Sequence, residues 1–323
     1  MPYSLQIGVI VLFSLVIAPV KTTGQESIDF TPVDGFLKLP PGMELGPCSA
    51  VDVDSRGNVY VLQRKAPPIL CFDSTGRFLF SWGTRLIGRA PEMRGAHGLR
   101  VDRVGNVWIA DRVRHLVRKF DRTGQLLMTL GTENSPGTGE HQFNRPADMA
   151  FGPAGEIYVA DGYGNSRVMK FDRTGKFLRT WGDAGSGPGE FDLPHTIAVG
   201  PDERIYVGDR FNNRIQVFDN QGILQQIWSG FTPCGMAFDK DGTLFVVDGV
   251  SKVLQIDKQG KVVKWWGSEA KELGLTPGLR SVPPIDNPGG FRFVPHLMGV
   301  DAQGNLYLAD VADRMLFKLD RQR

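Results

Sequence analysis

DMAFGPAGEIYVADGYGNSRVMKFDRTG (148–175) and TIAVGPDERIYVGDRFNNRIQVFDNQG (196–222) are two copies of one unit. Each opens on an apolar stretch and breaks at a polar turn. It then reads apolar-aromatic-apolar-x-Asp, followed by Arg-x-apolar-x-Phe-Asp-x-x-Gly. Apolar and polar residues alternate with period two on either side of Gly-, Asn- and Asp-containing turns, the signature of antiparallel strands joined by tight connections. Working outward, the unit recurs six times, with its aromatic residue at Tyr60, Trp108, Tyr158, Tyr206, Phe245 and Tyr307. A further strand-like run follows each of the first five copies: RFLFSWG, QLLMTLG, KFLRTWG, ILQQIWSG and KVVKWWG. Each unit is therefore a four-stranded meander. Six such sheets bury their faces only against one another, which predicts an all-β, six-bladed β-propeller of four-stranded antiparallel blades.

The sixth copy ends at Leu316-Phe317-Lys318-Leu319-Asp320, before any fourth strand. Residues 34–40, DGFLKLP, resemble the missing piece. They are expected to complete the last blade and close the ring, which removes an open edge. The spacing also predicts an insertion between blades five and six, Gly267 to Phe293, rich in Gly and Pro and overhanging a channel mouth.

Composition agrees with this reading. The 323 residues include 40 Gly and 21 Pro spread among turn-like spots, which suits many short strands and not a helical bundle. A hydrophobic share of 41% supplies a core, and a net charge of +2 provides no basic footprint for nucleic acid. Residues 1–24 differ: Leu5 to Val20 is nearly all apolar, too short for a span and followed by polar Lys21-Thr22-Thr23-Gly24. A signal peptide is expected there, with an uncleaved anchor as the alternative, leaving residues 25–323 as one secreted or periplasmic propeller. Cys48, Cys71 and Cys234 allow at most one disulfide, and their spacing selects no pair.

In a propeller the first strand of each blade lines the central channel, so equivalent positions form a ring. The position eleven residues before each aromatic reads Ser49, His97, Ala147, His195, Cys234 and His296. Three of the five histidines of the chain thus fall on one ring, on alternate blades. Isolated histidines in such folds are packing or turn residues, the reading given to His115 and His141. Three at one register are instead expected to bind a metal, with zinc favoured by an all-imidazole set that leaves one position open. Cys234 is either a neighbour of that metal or a small filler. A second ring, fifteen residues on, holds Arg64, Arg112, Gly162, Arg210, Gly249 and Val311 at one channel mouth. Its arginines suit a carboxylate, and Arg112 reads equally well as a rim charge. The residue before each, Gln63, Asp111, Asp161, Asp209, Asp248 or Asp310, is too regular for catalysis and is expected to be structural.

The blades resemble NHL repeats. The stretches VADGYGNSR (159–167), LPHTIAV (193–199), GDRFNNRIQVF (208–218) and VPHL (294–297) are similar to the peptidyl-α-hydroxyglycine α-amidating lyases. The likeness covers about residues 45–320. It implies zinc on His97, His195 and His296, a substrate-site Tyr163, and active-site Arg64 and Arg210. It also implies a calcium ion held by the main-chain carbonyls of Val51 and Leu99 and by an aspartate after the last histidine. Leu297 stands at that last position, which removes the carboxylate ligand and makes calcium doubtful. The family's cysteine beside the tyrosine is Gly164 here, so that bridge is not expected. The implied reaction is collapse of N–CH(OH)–COO⁻ to an amide and glyoxylate. Tyr163 would take the hydroxyl proton, helped by a nearby cation and the metal, which would lower its pKa, and Arg64 and Arg210 would hold the carboxylate. The hydroxylated peptide or α-hydroxy-amide is expected to come from another enzyme.

Three rivals remain. A non-catalytic propeller binding an extracytoplasmic protein or glycan by its rim has no use for channel histidines. A calcium lactonase or streptogramin-lyase-like enzyme is a weaker fit, because lactonases of that class use carboxylate and Asn ligands, which this ring lacks. A lyase or hydrolase acting on a different α-hydroxy-amide would share the same residues.

Overall fold

The computed structural model of the chain describes residues 28–84, 95–249, 252–267, 295–311 and 314–322. These form six four-stranded antiparallel sheets. Their innermost strands are Cys48–Val53, Ala96–Val101, Asp148–Phe151, Pro194–Val199, Pro233–Phe238 and Pro295–Val300. In five blades the strands run outward in sequence order, as the repeat predicts. The expected leader and the expected insertion (residues 268–293) lie outside the described residues. Among the described residues no helix is long and apolar enough to cross a membrane.

Burial follows the radial position of each strand. The second strands, such as Ile157–Asp161 and Ile205–Asp209, are buried along their whole length. Outer strands such as Phe177–Trp181 are mostly exposed. Each blade-to-blade interface carries its own apolar cluster. Between blades three and four, Ala150, Tyr158, Ala160 and Val168 pack on Ile197, Ile205, Val207 and Phe218. Between the last blade and the first, Tyr307, Ala309 and Leu316 pack on Val51, Val61 and Leu70. Six such clusters make the ring continuous.

The repeated Phe-Asp-x-x-Gly builds the hairpin between the third and fourth strands. In blade two, Asp121 Oδ1 accepts hydrogen bonds from the N–H groups of Thr123 and Gln125. Gly124 takes a left-handed φ of 91°, which a side chain would resist. The same pairing recurs at Asp73, Asp172, Asp219 and Asp257.

The ring closes as expected, but with an earlier segment. Phe30–Val33, not residues 34–40, pairs antiparallel with Leu316–Arg321. Phe30 sets the register by packing edge-on against Phe245 and Trp266 of blade five, at 5.6 and 4.9 Å between centroids. Pro32 is tolerated because it sits on an edge strand. Residues 34–40 instead run along the seam between the last blade and the first: Lys38 N–H donates to Gly76 O of blade one (2.7 Å) and Phe36 packs on Tyr307 of blade six.

The acidic position ahead of the second ring is structural, as expected. Asp209 accepts from the Asp192 N–H (2.8 Å) and pairs with Arg214 (2.8 Å). Asp161 does the same with the Asn144 N–H (2.8 Å) and Arg167 (3.0 Å), and Gln63 accepts from the Gly46 N–H. Each ties down the loop that leads into an innermost strand, and so fixes where the channel residue begins.

Candidate metal centre

His97, His195 and His296 converge on the channel axis, with one ring nitrogen from each within 4.8 Å of the others. Ring centroids are 4.5 to 5.1 Å apart. Each imidazole is oriented by the neighbouring blade. His97 Nδ1 lies 2.7 Å from the Ala147 carbonyl, His195 Nδ1 2.8 Å from that of Cys234, and His296 Nδ1 2.5 Å from that of Ser49. A carbonyl only accepts, so each Nδ1 carries the hydrogen and each Nε2 presents a lone pair. The three acceptors are the ring residues that are not histidine. Gly98, next to His97, lets the Ala147 carbonyl come this close, since a Cβ there would stand 2.5 Å from that oxygen.

Burial holds all three imidazoles well below their ordinary acidity range, and the facing arginines and neighbouring rings push the same way. His296 falls to about 3, through burial first and the Arg64 charge second. The rings are therefore neutral at pH 7 and available as ligands. Tyr163 Oη lies 2.9 Å from His97 Nε2 and 3.0 Å from His195 Nε2. One hydroxyl hydrogen serves only one of these two lone pairs, so the cluster holds more acceptors than donors. Three neutral imidazole acceptors with locked tautomers fit a bound metal ion.

Tyr163 is reached through Gly162, whose Cβ would sit 2.0 Å from the Pro194 carbonyl, just before His195. Burial raises its phenol above the usual value, while Arg210, Arg112 and Arg64 pull it down. Without a metal, desolvation of the phenol outweighs the arginines.

The second ring opens into a cavity of about 860 Å³ above the histidines. All six of its members line that cavity, together with Tyr163, Cys234 and His296. Backbone bonds fix their place: the N–H groups of Arg64, Arg112 and Arg210 donate to the carbonyls of Pro47, Gly95 and Leu193, two residues before the first ring. Arg112 belongs to the site, with its guanidinium carbon 4.8 Å from the centre of the Tyr163 ring. Sequence reasoning missed Arg145, Asp192 and Phe211, and it gave His115 only a turn. These also line the cavity. Arg145 precedes Pro146 and the ring residue Ala147 by two positions, a proximity that could have marked it.

Cys48, Cys71 and Cys234 are buried free thiols. Cys234 contributes its carbonyl to His195 and is not one of the clustered metal donors.

At the other end of the histidine-bearing strands the donor set does not fit calcium. Leu297 is fully buried in an apolar cluster with Leu99. The positive charge there is a side chain. Arg100 binds both carboxylate oxygens of Asp148 (3.0 and 2.6 Å) and the carbonyls of Met298 (2.9 Å) and Met236 (3.4 Å). One guanidinium thus joins four blades.

Residues 151–272 match a family described as a 6-bladed beta-propeller, DUF5128. A stretch of 49 residues is 43% identical to the peptidyl-glycine alpha-amidating monooxygenase of Mus musculus, and 45 residues are 44% identical to the peptidyl-alpha-hydroxyglycine alpha-amidating lyase 2 of Drosophila melanogaster. The chain is a six-bladed β-propeller with local similarity to the amidating lyases. The matches take in 15% and 14% of this chain, and only 5% and 11% of those proteins. Among solved structures, a streptogramin B lyase superposes with a TM-score of 0.61 over 91% of this chain and 98% of its own, at 17% identity. That likeness is one of fold.

Proposed function

We propose that this propeller is a zinc-dependent lyase that cleaves the N–C bond of a peptidyl-α-hydroxyglycine or a similar α-hydroxy-amide, releasing an amide and glyoxylate. The observation that carries the reading is the axial triad of neutral imidazoles, each locked by a neighbouring blade's carbonyl, with the Tyr163 hydroxyl between two of them. The local similarity to amidating lyases points the same way.

His97, His195 and His296 would hold the ion through Nε2. A zinc ion there supplies Lewis acidity at a site with one position left for substrate. The chain's own residues do the rest. Arg64 and Arg210 bind the substrate carboxylate at the channel mouth and orient the hydroxyl-bearing carbon toward Tyr163. Tyr163 Oη takes the hydroxyl proton. The C–N bond breaks as the aldehyde C=O of glyoxylate forms, and the departing amide nitrogen gains a proton. The cationic wall formed by Arg64, Arg112 and Arg210 favours the phenolate that Tyr163 must present to accept this proton, and the phenol so formed can return it to the departing nitrogen. We further place the protein outside the cytoplasm, on the strength of its leader-like first residues.

The test is metal content and glyoxylate release from an α-hydroxyglycine substrate, wild type beside His195→Ala. About one zinc per chain and measurable turnover, both lost in the variant, are expected. Absence of stoichiometric zinc from the wild type, even after zinc is added, overturns the reading and favours a rim-binding propeller.

A further inference from the structure

The arginines of this fold divide into two groups. Structural ones, buried or half-buried, face a carboxylate: Arg100 pairs with Asp148, Arg114 with Asp111, Arg167 with Asp161 and Arg214 with Asp209. Three of those lining the cavity do not follow the rule. Among the described residues no carboxylate pairs with Arg112, Arg145 or Arg210, and the Nε of Arg210 is buried without a hydrogen-bond partner. Asp192 is the only acid among the described residues lining the cavity, against four arginines. A single substrate carboxylate occupies two arginines at most through bidentate contacts. Two guanidinium groups are left over.

Both belong to residues that line the cavity and contact Tyr163, Arg112 by its side chain and Arg145 by its backbone. Arg112 stacks over one face of the ring, a geometry that leaves the in-plane N–H edges of a guanidinium free to donate. Arg145 is fixed on the same residue through the backbone: its carbonyl accepts from the Tyr163 N–H (3.2 Å). Its own N–H donates to His115 Nδ1 (3.0 Å), and both Arg145 and His115 hold left-handed φ values, 63° and 62°. The loop is thus built to bring Arg145 to the cavity mouth.

We propose that Arg112 and Arg145 form a second anion subsite, and that the preferred substrates carry a carboxylate on the acyl side as well as the one on the α-hydroxyglycine carbon. This substrate class rests on the lyase reading for its chemistry, but the subsite itself is testable without turnover.

Two pairs of compounds decide it. N-succinylglycine and N-butyrylglycine differ only by a carboxylate for a methyl group and lack the reactive hydroxyl. In calorimetric titrations of the full protein at low salt, the succinyl compound is expected to bind at least about tenfold more tightly, a preference that fades as salt screens it. Arg145→Gln, at an exposed position, and Arg112→Gln should each shrink the ratio between the two ligands. Equal affinities in the wild type, or a ratio untouched in both variants, overturn the proposal. The corresponding α-hydroxyglycine compounds are then assayed for glyoxylate. A lower KM for the succinyl substrate, moved toward the butyryl value in the variants, supports the subsite in catalysis. No glyoxylate from either compound, with the calorimetric preference intact, sinks the lyase reading and leaves the anion subsite standing.

Discussion

Replacing Arg100 with leucine removes the one guanidinium that joins four blades at the channel axis. Asp148 is fully buried, and it would keep three of its donors: the Thr196 hydroxyl (3.0 Å) and the N–H groups of Met149 (2.9 Å) and Ile197 (3.3 Å). It would lose both bonds from Arg100 and the neutralising charge. Breaking a buried pair by removing one partner destabilises by about 3–5 kcal/mol. The three remaining donors place the carboxylate's share near the lower end. Two carbonyls, those of Met298 and Met236, lose a donor as well, at about 1 kcal/mol each. For a domain of this length that sum corresponds to a fall in Tm of roughly 5–10 °C. Differential scanning calorimetry of Arg100→Leu, Asp148→Asn and the double variant measures it. The double variant should be more stable than Arg100→Leu, because the uncompensated charge is gone. A double variant no more stable than Arg100→Leu would refute the assignment of Arg100 as the axial counter-charge. Calcium should leave the wild-type Tm unchanged.

Gly98→Ala should leave the fold in place but displace the Ala147 carbonyl from His97, with about a ten- to hundredfold loss of zinc affinity measured by competition with a chelator. Metal-free protein should lose stability on acidification. The unfolded chain takes up protons on these histidines below about pH 6.5, whereas folded His296 resists until about 3, so stability is full above 6.5 and falls toward 3. At pH 5 that histidine alone accounts for roughly 2 kcal/mol relative to neutral pH, and chelator-treated protein scanned at pH 7.5 and pH 5 checks both sign and size.

The propeller was legible because its information is repeated. Phe-Asp-x-x-Gly encodes a hairpin through Asp carboxylate bonds and a left-handed glycine, and four copies with a fifth that has Ile256 for Phe are hard to mistake. The histidine ring was legible for the same reason, since register on a repeat converts spacing into position. The closing strand was misplaced because two neighbouring segments, FTPV and DGFLKLP, are both apolar and short. What separates them is tertiary: Phe30 finds Phe245 and Trp266, while Phe36 finds Tyr307. Arg145 was missed although it stands two residues before the first ring, the register of Pro47, Gly95 and Leu193, because the residue type at that position varies from blade to blade, and His115 because it was read only as a turn. The burial that raises the Tyr163 phenol was not legible, because proximity to arginines is readable from register and burial is not.

The alternation of histidine with Ser49, Ala147 and Cys234 follows from space and hydrogen bonding together. Centroids 4.5 to 5.1 Å apart already bring the three imidazoles into contact at the axis, so a fourth aromatic ring on the same level would have no room. The intervening blades must therefore present small side chains. A buried imidazole also needs an acceptor for its Nδ1 hydrogen, and placing that acceptor on the innermost strand of the next blade fixes ring orientation without using another side chain. Three small residues thus do two things at once, leaving space and lending carbonyls. The pattern works only if each histidine has a non-histidine neighbour on the same rotational side. A six-membered ring meets that condition with three histidines in alternation, and the geometry that results leaves every Nε2 facing the axis.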